Sequence, residues 1–396
     1  MSSALPRIRL RPKSDPKPIR HGAPWVYANQ LVLDRRSKAI PSGSFAVLED
    51  ADRTPLRLVA VNAASKIAAR VMDGPEATID ATWIEARITR ALNHRSALFD
   101  TPFYRLIHAE ADGLPGVIVD RFGHAAVIQP NAAWADVHLP MLVQTLQKAG
   151  MTTLYKNASG RARSLEGLDD ASAFVSGTLD APVQVQMNDA TYLADITGGQ
   201  KTGLFYDQRP NHSFAAQLAK GGSVLDVFSH VGGFSLAALA KGATRALAID
   251  ASQAALDLAQ HGADFTGFGD RFTTQRADAF DALTALGEDQ QTFDTVICDP
   301  PAFAPAKPAL DAGLRAYERL ARLAAPLVAP GGYLVLCSCS HAADLSRFRQ
   351  ASIRGIGRAG RPAQIVYTGG AGPDHPQHPH LAESSYLKAL AFRMLT

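Results

Sequence analysis

From about residue 191 the chain alternates between short apolar runs and amphipathic ones, and no other feature restricts its fold as sharply. S-V-L-D-V-F (223–228) reads as a buried strand and F-S-L-A-A-L-A-K-G (234–242) as a helix ending at glycine. R-A-L-A-I-D (245–250) reads as a strand, and S-Q-A-A-L-D-L-A-Q-H (252–261) as a helix capped by Ser252. Further strands follow at D-T-V-I-C-D (294–299) and G-Y-L-V-L-C-S (332–338), separated by a helix of about 310–328. Strands alternating with helices imply a doubly wound α/β parallel sheet, because each parallel crossover needs a helix and winds with one hand. A-Q-I-V-Y (363–367) and the terminal Y-L-K-A-L-A-F-R-M-L (386–395) add two more strands, the last expected as an antiparallel edge.

The chain has 396 residues, too many for one ordinary core when domains run to roughly 100–200 residues. Residues 1–75 carry β-rich pieces such as S-F-A-V-L-E-D and L-R-L-V-A-V-N between Pro, Gly and Asn turns, which suggests a small barrel or sheet. Residues 76–190 open with the helical T-W-I-E-A-R-I-T-R-A-L-N-H-R and offer strands at Y-R-L-I-H and A-A-V-I-Q. A helix near 134–148 follows, then a closing hairpin with Asn188-Asp189 near its turn. This is a compact α+β middle domain, with 191–396 left for the alternating domain. Residues 1–40 hold nine Lys or Arg against Asp15 and Asp34, a local +7 within an overall +3. Such a surface suits a polyanion, nucleic acid above all, although a solvated basic arm would carry the same charge. No apolar stretch is long enough to cross a bilayer and the amino terminus lacks an apolar signal segment, so a cytoplasmic location is expected. Three cysteines cannot frame a chain of this size with disulfides.

In a doubly wound sheet, ligands bind beyond the carboxyl ends of the strands. The first strand runs out as D-V-F-S-H-V-G-G-F-S, with Asp226 on the strand, Phe228 and Ser229 at its tip, Gly232 and Gly233 in the turn, and Ser235 opening the helix. This is not the G-x-G-x-x-G of a dinucleotide site. Asp250 closes the second strand, where a carboxylate can accept both hydroxyls of a ribose, and Asp278 follows the third, where an adenine amino group can be read. Each aspartate alone could equally be a helix cap. Three in this order point to an adenosine without a pyrophosphate, hence to S-adenosylmethionine. The fourth strand ends in C-D-P-P-A-F, where successive prolines force a rigid extended turn that holds Asp299 toward a planar ligand.

L-C-S-C-S-H (336–341) places Cys337 and Cys339 two residues apart at the end of an apolar run. A zinc reading with His341 fails on spacing and number, since one intervening residue is tighter than usual cysteine pairs and no second pair is near in sequence. A nucleophile, or small residues filling a core, remain. The histidines of D-H-P-Q-H-P-H (His375, His378, His380) stand between prolines and are left unassigned.

Together these motifs resemble the bacterial ribosomal large-subunit methyltransferase I family, S-adenosylmethionine-dependent RNA cytosine-5 methyltransferases. The resemblance spans nearly the whole chain and includes H-A-E-A-D-G-L-P-G-V-I-V-D-R-F-G (108–123), G-G-Q-K-T-G-L-F-Y-D-Q-R (198–209), D-V-F-S-H-V-G-G-F, D-P-P-A-F, S-C-S (338–340), D-H-P and Y-L-K. It implies a PUA RNA-binding domain, a small α+β middle domain, a Rossmann-like class I methyltransferase domain, ribosomal RNA of the large subunit as partner, and a homodimer. It also implies that the Gln200 to Asp207 stretch lies beside the cofactor, with Gln200, Lys201, Thr202 and Phe205 in contact with it. Two positions depart from the family pattern: Ala302, where many members carry lysine, and A-E-S-S-Y-L-K, in place of P-E-G-L-Y-L-K. Neither removes a catalytic group.

Carbon 5 of cytosine is too weak a nucleophile to take a methyl group until a thiolate has added to carbon 6. The resemblance gives that role to Cys339, and Asp299, held out by the proline turn, is expected to hold the pyrimidine edge. Cys339 also lies roughly 6–7 Å nearer the loops than Cys337 on an extended chain. Two other functions stay open at this level: methylation of an exocyclic amine beside D-P-P-A-F, and an inactive RNA-binding assembly factor.

Overall fold

The computed structural model describes residues 5–198 and 203–396, so Gln200, Lys201 and Thr202 lie outside the described residues. The chain divides into two compact units, Met1–Asp180 with Pro376–Ala382, and Ala181–His375 with Glu383–Thr396.

The first unit holds two five-stranded sheets. In the amino-terminal one, Phe45–Glu49 pairs in parallel with Arg7–Arg9 and antiparallel with Pro55–Val61, which continues to Ile67–Asp73 and then Trp25–Tyr27. Backbone hydrogen bonds from Arg11 N to Gln30 O and from Val32 N to Arg9 O (2.8 Å each) lace its two edges together around Ile8, Leu10, Val26 and Leu48. Closing the sheet in this way removes the unpaired edges that would otherwise invite aggregation. The second sheet packs its core beneath helix Ala81–Ser96, whose N-cap Asp80 accepts from Trp83 N. The helix expected over 134–148 is two helices, Ala133–Val137 and Leu139–Lys148. Pro140 explains the break: it has no N–H to carry the ladder on from the first helix, and it is tolerated in the first turn of the second, where that N–H would have no partner within the helix. Arg70 ties the sheets together through Glu110 (2.8 Å) and Glu166 (3.0 Å).

The second unit opens with a hairpin, Val183–Met187 and Ala190–Ala194. Asn188 (φ 52°) and Asp189 (φ 62°) both take the left-handed conformation that a two-residue type I′ turn requires. Expected at the end of the middle domain, this hairpin sits with the second unit, where the Tyr192 hydroxyl donates to Gly233 O at 3.2 Å. Seven strands form the main sheet of this unit. They are β1 Ser223–Val227, β2 Arg245–Asp250, β3 Phe272–Arg276, β4 Phe293–Cys298, β5 Val328–Ser338, β6 Ala363–Gly369 and β7 Lys388–Met394. The connecting helices are α1 Arg209–Leu218, which precedes β1, then α2 Gly233–Ala240, α3 Gln253–Phe265, α4 Ala279–Glu288, α5 Leu310–Ala324 and α6 Leu345–Arg358.

The strand order is 3-2-1-4-5-7-6, with β1 to β5 parallel and β7 antiparallel to both neighbours. The terminal strand is therefore antiparallel as expected but is not the edge: β7 is inserted between β5 and β6. Burial explains the order. Six of the seven residues of β7 are buried, whereas none of β6 is and its ladder is interrupted between Ile365 and Tyr367. An edge strand tolerates exposure and irregular pairing, whereas the run Ala389–Phe392 of β7 needs cover on both sides. Among the described residues no helix is long and apolar enough to cross a membrane.

Candidate active site

At the carboxyl ends of β1, β2 and β4, and beyond β5, a cavity of about 400 Å³ opens in the second unit. The β1 tip is wound tightly: Phe228 (φ 63°), His230 (φ 50°) and Gly232 (φ 78°) all occupy the left-handed region. For the two non-glycine residues this costs on the order of 1–3 kcal/mol each, offset by the contacts around them. Asp226 is fully buried and its Oδ2 accepts from Ser235 N (3.0 Å) and Ser235 Oγ (2.7 Å) at the start of α2. Its Oδ1 has no hydrogen-bond partner. Burial pushes the Asp226 carboxyl up to about 6, against the pull of the Ser235 donors. Gly233 is required by close approach, since a Cβ there would lie 2.7 Å from Cε1 of the His212 ring.

Asp250, at the tip of β2, lines the cavity. Its Oδ2 accepts from His230 N at 2.8 Å and its Oδ1 from Ser252 N at 2.9 Å, so one carboxylate fixes both the β1 loop and the entry to α3. Asp278 behaves differently. It is exposed, caps α4 by accepting from Phe280 N and Asp281 N, and is not among the residues lining the cavity. From β4 come Asp299, Pro300, Pro301 and Ala302, all on the cavity wall, with Asp299 N donating to Val227 O at 3.2 Å.

The three cysteines separate cleanly. Cys298 and Cys337 are fully buried within β4 and β5, and burial pushes both thiols well up. Cys339 lies one residue past the paired end of β5 and lines the cavity. Its flanking serines are buried and anchored. Ser338 Oγ donates to the Tyr317 hydroxyl (2.9 Å), that hydroxyl shares a 2.7 Å hydrogen bond with Ser340 Oγ, and Ala304 N donates to Ser340 Oγ (2.9 Å). The S-C-S triplet is thereby clamped between α5 and the loop after D-P-P-A-F. Phe303 turns away from the cavity, its ring 4.9 Å from that of Tyr317.

A family model for S-adenosylmethionine-dependent methyltransferases matches residues 129–393, and one for PUA-like domains matches residues 8–73. A relative named ribosomal RNA large subunit methyltransferase I, from Shewanella amazonensis, is 33% identical over 395 residues, covering 98% of this chain and 99% of its own. Another of that name, from Aeromonas hydrophila, is 34% identical over 403 residues, covering 99% and 100%. The chain belongs to the ribosomal RNA large subunit methyltransferase I family. A protein solved in complex with SAH matches with a TM-score of 0.82 at 17% identity, covering 98% of this chain and all of the other. A solved protein from Streptococcus mutans, assigned to the SAM-dependent methyltransferases, matches at 0.81 and 17%, with the same coverage. At that identity the likeness concerns the fold.

The residues of this family member fit S-adenosylmethionine. The cavity lies within the about 300–1,000 Å³ usual for small-molecule sites, and Phe205, Phe228, Ser229, Gly233 and Asp250 line it. Ser229 Oγ and His212 Nδ1 are buried on its wall without hydrogen-bond partners, which is the state of groups that await a polar ligand. Among the described residues no group of three or more His, Cys, Asp or Glu is arranged to hold a metal ion. His375 is buried beside Asp374 in the second unit, and His380 meets His21 O at 2.9 Å in the first.

His212 and Tyr386 escaped the sequence reading, whereas Asp207 closes the stretch that the resemblance puts beside the cofactor. His212 rises from α1, its ring 4.4 Å from that of Phe234, and burial pushes its imidazole down to about 3, so it stands neutral on the wall. Asp207, also on the wall, accepts from the Tyr386 hydroxyl. His212 is a polar residue in a segment remote from the strand ends, and only the packing of α1 on α2 brings it to the cavity.

Proposed function

We propose that this methyltransferase modifies carbon 5 of a cytosine in ribosomal RNA of the large subunit, through a covalent adduct on Cys339. One observation carries the reading: of three cysteines, Cys339 alone lines the cavity that also holds Asp250, Asp299 and the two prolines. The relatives' names supply the RNA. S-adenosylmethionine, held by Asp250, Phe228, Ser229, Gly233 and Phe205, supplies an electrophilic methyl group on a sulfonium. Gln200, Lys201 and Thr202 complete its surroundings in this reading, and Asp226 braces the loop from below. Asp278 enters only if its exposed carboxylate also reads the adenine amino group.

Cys339, as thiolate, adds to carbon 6 and gathers electron density at carbon 5, which accepts the methyl group. Loss of the carbon 5 proton and expulsion of the thiolate restore the aromatic ring and free the enzyme. Asp299 holds the pyrimidine edge, and the Pro300-Pro301 turn keeps that carboxylate from swinging away. A cytosine in folded RNA must leave its stack to expose carbon 6, so the target is flipped or single-stranded. Methylation of an exocyclic amine is disfavoured because an aromatic face beside the prolines would be needed, and Phe303 is packed against Tyr317 instead.

The PUA-like domain contributes RNA contacts through its basic surface. Part of that charge is neutralised internally, where Arg7 pairs with Glu49 and Arg20 with Asp50. Arg11, Lys13 and Lys17 are exposed and suit phosphate contacts. Mass mapping of 5-methylcytosine in ribosomal RNA from cells with and without this gene tests the reading. One cytosine in large-subunit RNA should lose its methyl group in the deletion, and an unchanged map would refute it.

A further inference from the structure

One charged group beside Cys339 plays no part in the reading above. Lys388 opens β7, whose neighbours Ala389, Leu390, Ala391 and Phe392 are all buried and apolar, and it is itself only 6% exposed. The ladder pairs Lys388 with Ser338. Its Nζ reaches past that pair to donate to Ser340 O at 2.6 Å and to Tyr386 O at 2.7 Å. The lysine is thus bound to the residues on both sides of Cys339, by the backbone register before it and by the ammonium after it.

A buried ammonium is expensive unless an anion compensates it, and two neutral carbonyls do so incompletely. Burial pulls the Lys388 ammonium down to about 8, and the charges of Cys339 and Asp344 oppose that pull. Asp344 is already engaged, capping α6 by accepting from Arg347 N and pairing with the Arg347 guanidinium. The remaining titratable groups near the pair are Asp299 at the β4 tip, Tyr317 behind the serines, the buried Cys337, Tyr386 with Asp207 accepting from its hydroxyl, and His341, whose ring lies 5.5 Å from that of Tyr386. Only the sulfur of Cys339 both faces the cavity and becomes an anion in the reaction.

We propose that Lys388 is a positioning residue whose ammonium, fixed against the Ser340 carbonyl, stabilises Cys339 as thiolate and so sets the fraction of enzyme able to attack a base. The thiol proton leaves to solvent and the lysine keeps its own. This inference rests on Cys339 being the nucleophile. Its test needs no RNA, which keeps the two failures apart: methylation surviving in Cys339→Ser would sink the nucleophile, whereas thiol acidity is measured directly.

The experiment follows carbamidomethylation of Cys339 by iodoacetamide in the full-length protein across pH 5 to 10, read by peptide mass spectrometry. Lys388→Met should move the midpoint up by about one pH unit, the lower end of the effect of an opposite charge at close range. Alkylation at neutral pH should fall about tenfold with it. Lys388→Gln, which keeps a donor for Ser340 without the charge, should shift likewise, and Lys388→Arg should restore most of the reactivity. Cys298 and Cys337 report on folding, because they resist alkylation while buried. An unchanged midpoint in either variant with those two still protected overturns the proposal. Loss of their protection in both variants assigns Lys388 a purely structural role and overturns it as well.

Discussion

Replacing Asp250 with alanine separates two tasks that the structure assigns to one carboxylate. Toward the fold, it accepts from His230 N and Ser252 N at 2.8 and 2.9 Å, each worth about 1 kcal/mol net. The variant should therefore lose about 2 kcal/mol of stability, a fall of several degrees in Tm. Toward the cofactor, a hydrogen bond from a ribose hydroxyl to the charged carboxylate is worth about 2 kcal/mol, which is a loss of about 30-fold in affinity. Titration calorimetry with S-adenosylhomocysteine measures the second effect, and thermal unfolding without ligand the first. Asp250→Asn keeps an acceptor without the charge and should fall between wild type and alanine on both scales. If the alanine variant melts earlier but binds with unchanged affinity, Asp250 is only a lock for the β1 loop, and the ribose assignment is refuted.

Three further predictions concern other parts of the account. Asp226 has its carboxyl raised from 3.8 to about 6, which corresponds to about 3 kcal/mol. The folded state holds this proton more tightly, so the contribution is present below pH 3.8 and lost as pH rises through 6; stability measured against pH should fall less steeply over that window in Asp226→Asn than in wild type. Gly233→Ala places a Cβ 2.7 Å from the His212 ring, an overpacking that should remove about 1–3 kcal/mol of stability and weaken cofactor binding, as melting and calorimetry would record. Replacing Arg11, Lys13 and Lys17 with alanine should lower the salt slope of RNA binding by about two, near 0.7 for each lost phosphate contact to a single strand, without affecting cofactor affinity; an identical slope would make these residues a solubility feature.

The parallel core was legible because buried parallel strands are continuous apolar runs, as in S-V-L-D-V-F, and their helices carry caps such as Ser252. The order of the last two strands was not, since both A-Q-I-V-Y and A-L-A-F-R-M read as strands and only the packing decides which is covered. Asp250 and Asp278 look alike in sequence, each an acid at a strand end. The chain turns one into the cavity and leaves the other capping α4. Cys339 could be separated from Cys337 by its position along β5, but its surroundings could not be foreseen. Tyr317, Lys388 and His212 reach the site from α5, β7 and α1, and no local periodicity links them. The visible signs of Lys388 were its place in the Y-L-K motif and at the head of the apolar run A-L-A-F.

The central claim, that Cys339 forms the covalent bond to the base, is tested most directly by trapping on RNA that carries 5-fluorocytosine at the target. Fluorine cannot leave as a cation, so the adduct persists after methyl transfer and migrates as a protein–RNA complex on a denaturing gel. With S-adenosylmethionine present, wild type and Cys337→Ser should trap, whereas Cys339→Ser should not, while still binding S-adenosylhomocysteine with wild-type affinity. A trapped complex in the Cys339 variant, or one lost with Cys337 instead, would contradict the account.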